Sequence, residues 1–444
     1  MITPEGHRQK LALKTLSLRE DFDHFLEISK EGKELEKHHT QIKRIVLHFE
    51  GFFDLFKTKL DAAQSDAEFQ KLRRLILGAH EIWHFFREKF LTRESERYHR
   101  LLKLADEYAW ECLQPLLPFQ APDKGREPPL IYFSAKGSPA ELSRGKCFQG
   151  LLPNAQSASL SQLTMQLPVP VISLPWYQSL FLPEWPVIAH EVGHIVENDF
   201  QLTDSLKSNL KKSCHPARLF PWTEKWLGEA FADVYGTMTG GPAFVRSLIM
   251  FITDRAKAGL EIQSEDDGFE IYPTTALRAL LCCSTLEHMG FTSSAKEIRE
   301  DYAEILENHR MKNYEDDLPK VVRAFIDSPL PSLGDKSLRS IERLAFDQND
   351  LKCTAEITED LREGFKIGPG KARQYLSSVT AFFETNPGDL TAKLTKEVID
   401  RAVAEITAGT RSHPMVNPDD PGLRKTDQEM GRQLFHALEA SQLP

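Results

Sequence analysis

Apolar residues recur three or four positions apart along most of this chain, the spacing that lines one face of an α-helix. From about residue 8 to 116 the pattern is helical throughout. Ile42, Ile45, Val46, Phe49, Phe53, Phe56 and Leu60 form one stripe, and Leu72, Leu75, Ile76, Ala79, Trp83, Phe86 and Phe90 form another. Leu101, Leu104, Ala105, Tyr108 and Cys112 give a third. Ser65 with Glu68 has the spacing of a capping box at the start of the second stripe. The spacing predicts an N-terminal domain of about four helices.

The pattern changes after residue 116. PFQAPDKGREPP reads as a Pro-rich linker, and two short continuous apolar runs follow, LIYFS at 130–134 and VPVISLP at 169–175. Such runs read as short strands, and this is the one β region expected. Helical spacing resumes near 184 and continues to the end, with breaks near 240, 268–273, 313, 329–336 and 366–371. No repeat of fixed period is present in the sequence.

Composition narrows the class. At 444 residues the chain is long enough for two or three domains. A net charge of -10 argues against a protein whose main affinity is for phosphate backbones or anionic lipid, so no nucleic-acid partner and no membrane are expected. The first residues, MITPEGHRQKLALKTL, lack the apolar core of a signal peptide, and no run reaches the roughly 18 apolar residues of a membrane span. The six cysteines are scattered without C-x-x-C spacing, which predicts neither a zinc ribbon nor a disulfide framework and fits the cytoplasm.

The sequence carries H-E-x-x-H twice. In IAHEVGHIVE, His190 and His194 lie one helical turn apart and can reach one metal ion, with Glu191 beside them as a general base. Ile188, Val192, Ile195 and Val196 would form the packed side of that helix, and Gly193 would leave room beside the metal cleft. In GAHEIWHFF, His80 and His84 flank a bundle stripe while Glu81 points away from it. The second arrangement suits polar neighbours of a packed helix, even though Glu107 and Glu111 follow downstream. A catalytic zinc takes three protein ligands and keeps a fourth position open. WLGEAFADVYG supplies Glu229 as the third ligand. Asp233, one turn on, either accepts the second N–H of a ligand histidine or pairs with an arginine. EIYPTTALR offers Tyr272 and Arg278 as donors to a developing oxyanion, set against a packing aromatic and a structural cation.

HEVGH followed by GEAFADVYG resembles the gluzincin, or thermolysin-like, zinc metallopeptidases, whose second motif reads E-A-x-x-D-x-x-G; the matching positions are Glu229, Ala230, Asp233 and Gly236. The resemblance covers about residues 165–240. It implies zinc, peptide hydrolysis and these ligand roles, and it places VPVISLP at the sheet edge that binds an extended substrate. The separation of 35 residues between His194 and Glu229 (229 − 194) is longer than in the compact arrangement of that group. The expected fold is α+β and predominantly α. A zincin-like core with a small β-sheet at 117–290 is flanked by an N-terminal helical domain at 1–116 and a C-terminal helical region at 291–444. The expected substrate is a peptide or protein, and the helical regions are where a regulatory partner would bind. Hydrolysis of another amide-like bond, or a helical scaffold with structural zinc, are the alternatives; Glu191 argues against the last, since a structural site needs no base.

Overall fold

The computed structural model describes residues 3–119, 127–135, 139–142, 168–257, 272–307 and 312–408, together with 419–440. Among these the protein is predominantly helical with one small sheet. Four helices open the chain: α1 (Pro4–Ile28), α2 (His39–Ala62), α3 (Asp66–Glu94) and α4 (Glu96–Leu113). The capping box is present, with Ser65 Oγ accepting from Glu68 N at 3.4 Å and Glu68 Oε2 accepting from Ser65 N at 2.9 Å. Trp83 sits edge-on to Phe22 and Phe25, filling the bundle between α1 and α3.

The two apolar runs form β1 (Leu130–Ser134) and β3 (Val171–Pro175), paired in parallel, and a short β2 (Ala140–Leu142) joins the other side of β3 in antiparallel register. The sheet order is β1-β3-β2, so the VPVISLP strand is central. The expectation that it offers a sheet edge to substrate is therefore corrected: both sides of β3 are occupied, by β1 and β2. The continuous apolar character has a direct cause. Leu130, Tyr132 and Val171 face one buried cluster, while Ile131, Phe133, Ile172 and Leu174 face another. Alternate residues enter two different cores.

Those two clusters cut across the segments expected at 1–116, 117–290 and 291–444. The first holds α1–α3 together with Leu434, Phe435 and Leu438 of the last helix, α16 (Pro421–Ala440). The second takes α4 from the N-terminal segment and packs it with α5 (Ile188–Asp199), α8 (Leu227–Lys257), α9 (Thr275–His288), α12 (Leu318–Ile326), α14 (Ala372–Thr385) and α15 (Ala392–Ala408). Arg373 at the start of α14 donates to the Glu111 carbonyl of α4 at 3.0 Å, and Glu111 accepts the Ala372 and Arg373 backbone N–H groups at 2.9 Å each. The helix connections include α6 (Thr203–Ser213), α7 (Pro216–Phe220), α10 (Thr292–Asp301), α11 (Ala303–Glu307) and α13 (Gln348–Glu363).

The break expected near 240 is a kink inside α8 at Gly241, with φ 65° and Pro242 next to it. A Cβ at Gly241 would meet the Phe346 ring at 2.5 Å, so glycine meets both the backbone and the packing demand. No helix among the described residues is long and apolar enough to cross a membrane. The described cysteines are free, and Cys147 lies outside the described residues.

Candidate metal centre

Helix α5 runs through the second core with almost every residue buried, and α8 is its main neighbour. The sequence predicted one packed and one open side for α5, and the structure differs: His190 and Glu191 are buried, with His194 partly so. Gly193 explains the closeness. A Cβ there would lie 2.9 Å from Ala232 Cα and 3.2 Å from Tyr235 Cβ on α8. The expectation that Gly193 makes room beside the metal cleft is corrected, because its missing side chain lets the two helices touch.

That contact brings three donors together. His190 Nε2 and His194 Nε2 are 3.1 Å apart, Glu229 Oε2 is 3.3 Å from His190 Nε2, and Glu229 Oε1 is 3.4 Å from His194 Nε2. Two donors each about 2.0–2.1 Å from a tetrahedral ion stand about 3.3–3.4 Å apart, so these spacings, which run to the two different Glu229 oxygens, are of the size that a small tetrahedral metal ion needs. The side chains are 8%, 15% and 16% exposed, a recessed site that still reaches solvent. Glu229 Oε2 is buried without a well-formed hydrogen bond, as suits an atom with a ligand still to meet. Among the described residues this is the one group of His, Cys, Asp or Glu side chains close enough to hold a metal ion.

Behind these donors stands a buried cluster of charged side chains. Asp233 Oδ1 is 2.9 Å from His190 Nδ1, a charge contact too bent to be a well-aligned hydrogen bond. Both Asp233 oxygens accept from Arg278, Oδ2 from Nε at 2.7 Å and Oδ1 from Nη2 at 2.8 Å. Arg278 also lies 3.5 Å from Glu229 Oε2. Asp233 is therefore paired with an arginine, and its expected acceptance of the His190 N–H is present only as a 2.9 Å contact without hydrogen-bond alignment. Burial opposes the charge on Glu229, but His190, His194 and Arg278 outweigh it and hold the carboxyl well below its usual range. Asp233 is lowered in the same way against its burial, by Arg278 first and His190 second. Burial likewise disfavours the His190 imidazolium, yet Asp233 and Glu229 lift it to about 10.

Arg278 spends its Nε and one Nη on Asp233, which makes it a brace for the site rather than a donor aimed at substrate. The oxyanion expectation for Arg278 is corrected on that ground. Tyr272 is half-buried with its ring 5.8 Å from the Arg278 guanidinium, which places it at the edge of the same cluster. The other H-E-x-x-H forms no such site. His80 Nε2 bonds to the Lys14 carbonyl at 3.0 Å, Glu81 is exposed, and the exposed His84 pairs with Glu88 at 3.0 Å. Glu107 pairs with Lys37, and Glu111 serves α14.

Comparison with protein-family models, curated proteins and solved structures returned no match.

Proposed function

We propose that the protein is a zinc-dependent peptidase, its metal held by His190, His194 and Glu229 in a zincin-like core. The observation that carries this is the convergence of the three side chains, with the two histidine Nε2 atoms 3.1 Å apart and each 3.3–3.4 Å from one Glu229 carboxylate oxygen, and with a carboxylate base on the same helix. Zinc in such a site supplies a Lewis acid that polarises the scissile carbonyl and lowers the pKa of the attacking water to about 7. Glu191, one residue beyond the ligand His190, takes the water proton and passes it to the leaving amine. Asp233 places its negative charge 2.9 Å from His190 Nδ1, favouring an N–H at that atom and leaving Nε2 for the metal, and Arg278 holds Asp233 and Glu229 in place. Tyr272 is the remaining candidate to donate to the oxyanion. A carboxylate base next to the ligand pair favours hydrolysis over a purely structural metal.

The test is Glu191→Gln, which removes a proton acceptor without removing a ligand. The variant should keep its zinc and its fold and lose hydrolysis of any peptide that the wild type cleaves. Wild-type turnover in Glu191→Gln would reject the mechanism.

A further inference from the structure

The first cluster contains a polar residue with no visible reason to be there. His48 of α2 is 1% exposed, and neither ring nitrogen has a hydrogen-bond partner. Its ring meets the edge of Phe49. A buried imidazole with both nitrogens unsatisfied stabilises less than an aliphatic side chain of similar size would.

Its place in the fold is specific. At His48 the backbone of α2 touches that of α16: a Cβ on Gly431 would lie 1.7 Å from the His48 carbonyl oxygen, and a Cβ on Gly51 would lie 1.9 Å from the Gln428 carbonyl oxygen. One turn before His48, Arg44 is buried and grips Asp427 of α16 with Nε at 3.0 Å and Nη2 at 2.7 Å. The other polar ties between the two helices lie nearer solvent: Glu50 with Arg424 and Gln428, and Lys59 with Glu439. Such exposed ties contribute little. The tight glycine contacts, the Arg44–Asp427 pair and the apolar side chains of Leu434, Phe435 and Leu438, with Phe435 against Phe52, hold α16 against α2.

We propose that α16 is an acid-released strap, and that protonation of His48 lifts it from the N-terminal bundle. An imidazolium at position 48 would stand one helical turn from the Arg44 guanidinium, inside a contact whose buried carboxylate, Asp427, is already doubly engaged. Repulsion and desolvation act in the same direction. From the other neighbours of α2, Arg19 of α1 lies over the Phe53 ring, Arg87 of α3 pairs with Asp21 of α1, and Lys37 pairs with Glu107. Arg44 is the charged neighbour that acts on His48, and Arg44 in turn feels Asp427 first and then the buried carboxylates Glu127 and Asp199. Burial, then Arg44, hold the imidazole down to about 3 in the closed form, against 6.5 when exposed. The sign follows: closure is fully favoured above about 6.5 and weakens as pH falls from there toward 3. Between pH 8 and pH 5 the opening equilibrium should rise about 30-fold.

The experiment is hydrogen exchange on the full chain at pH 8 and pH 5, corrected for intrinsic exchange rates, comparing α16 amides with α8 amides. In the wild type, the opening of α16 should increase about 30-fold while α8 stays protected. His48→Leu and His48→Gln, neither of which titrates, should remove that increase; two variants are used in case one fails to fold. Equal protection of α16 at both pH values in the wild type, or the same increase in a folded His48 variant, would overturn the proposal.

Discussion

Replacing Gly193 with alanine sets two opposed effects against each other. In an isolated helix the change is favourable by about 1 kcal/mol, because glycine has the greater backbone entropy to lose. In this protein the added Cβ would lie 2.9 Å from Ala232 Cα, 3.2 Å from Tyr235 Cβ and 3.3 Å from Ala232 Cβ. Carbon atoms in good contact stand about 3.5–4.0 Å apart, so α5 must retreat from α8 by about 0.6–1 Å. Overpacking of this kind costs about 1–3 kcal/mol, so against the gain of about 1 kcal/mol the net loss should be about 1 kcal/mol and at most about 2 kcal/mol. The larger consequence is at the proposed metal centre. His190 and His194 ride on α5 and Glu229 on α8, so the separations of 3.3 and 3.4 Å between them would stretch toward about 4 Å, too wide for a tetrahedral zinc. Zinc affinity of Gly193→Ala should fall at least about 10-fold, the lower end of what disturbing a ligand's support costs. The assay is chelator competition for zinc, run beside the melting temperature of the metal-free protein. A raised melting temperature with unchanged zinc affinity would show that propensity governs and that the helices are not in contact at Gly193.

Two further outcomes test other parts of the account. Asp233→Asn removes the charge beside His190 and should weaken zinc binding by roughly 10 to 100-fold with the fold retained; unchanged affinity with a lowered metal-free melting temperature would leave Asp233 only its pairing with Arg278. Lys89 is buried against the Phe85 and Tyr132 rings, and burial lowers its ammonium to about 7, so wild-type stability should fall as pH drops from about 10.5 to 7. Relative to wild type, Lys89→Met should gain stability over that window in urea titrations, and a difference independent of pH would refute the assignment.

The local parts of the site were legible in the sequence because helix geometry fixes them. Four-residue spacing alone puts His190 with His194 and Glu229 with Asp233 on shared faces, and the surroundings of His80 to His84 read correctly as the flank of a bundle stripe. The continuous apolar runs identified β1 and β3, since strands facing two cores have no polar side to show. What stayed hidden depends on contacts between distant segments. Gly193 reads as an absence until α8 is laid against it. Arg278 lies 45 residues beyond Asp233, and nothing in its own helix distinguishes a brace from an oxyanion donor. The return of α16 to α2 joins residues 383 apart, as in the Arg44–Asp427 pair; an apolar stripe shows that a face is covered and not what covers it.

The most direct test of the central claim is elemental analysis of the purified wild type, His194→Ala and His84→Ala. Wild type and His84→Ala should each carry about one equivalent of zinc and His194→Ala should carry almost none, because three ligands and one water complete a single tetrahedral site. Zinc retained in His194→Ala, or lost from a folded His84→Ala, would contradict the account.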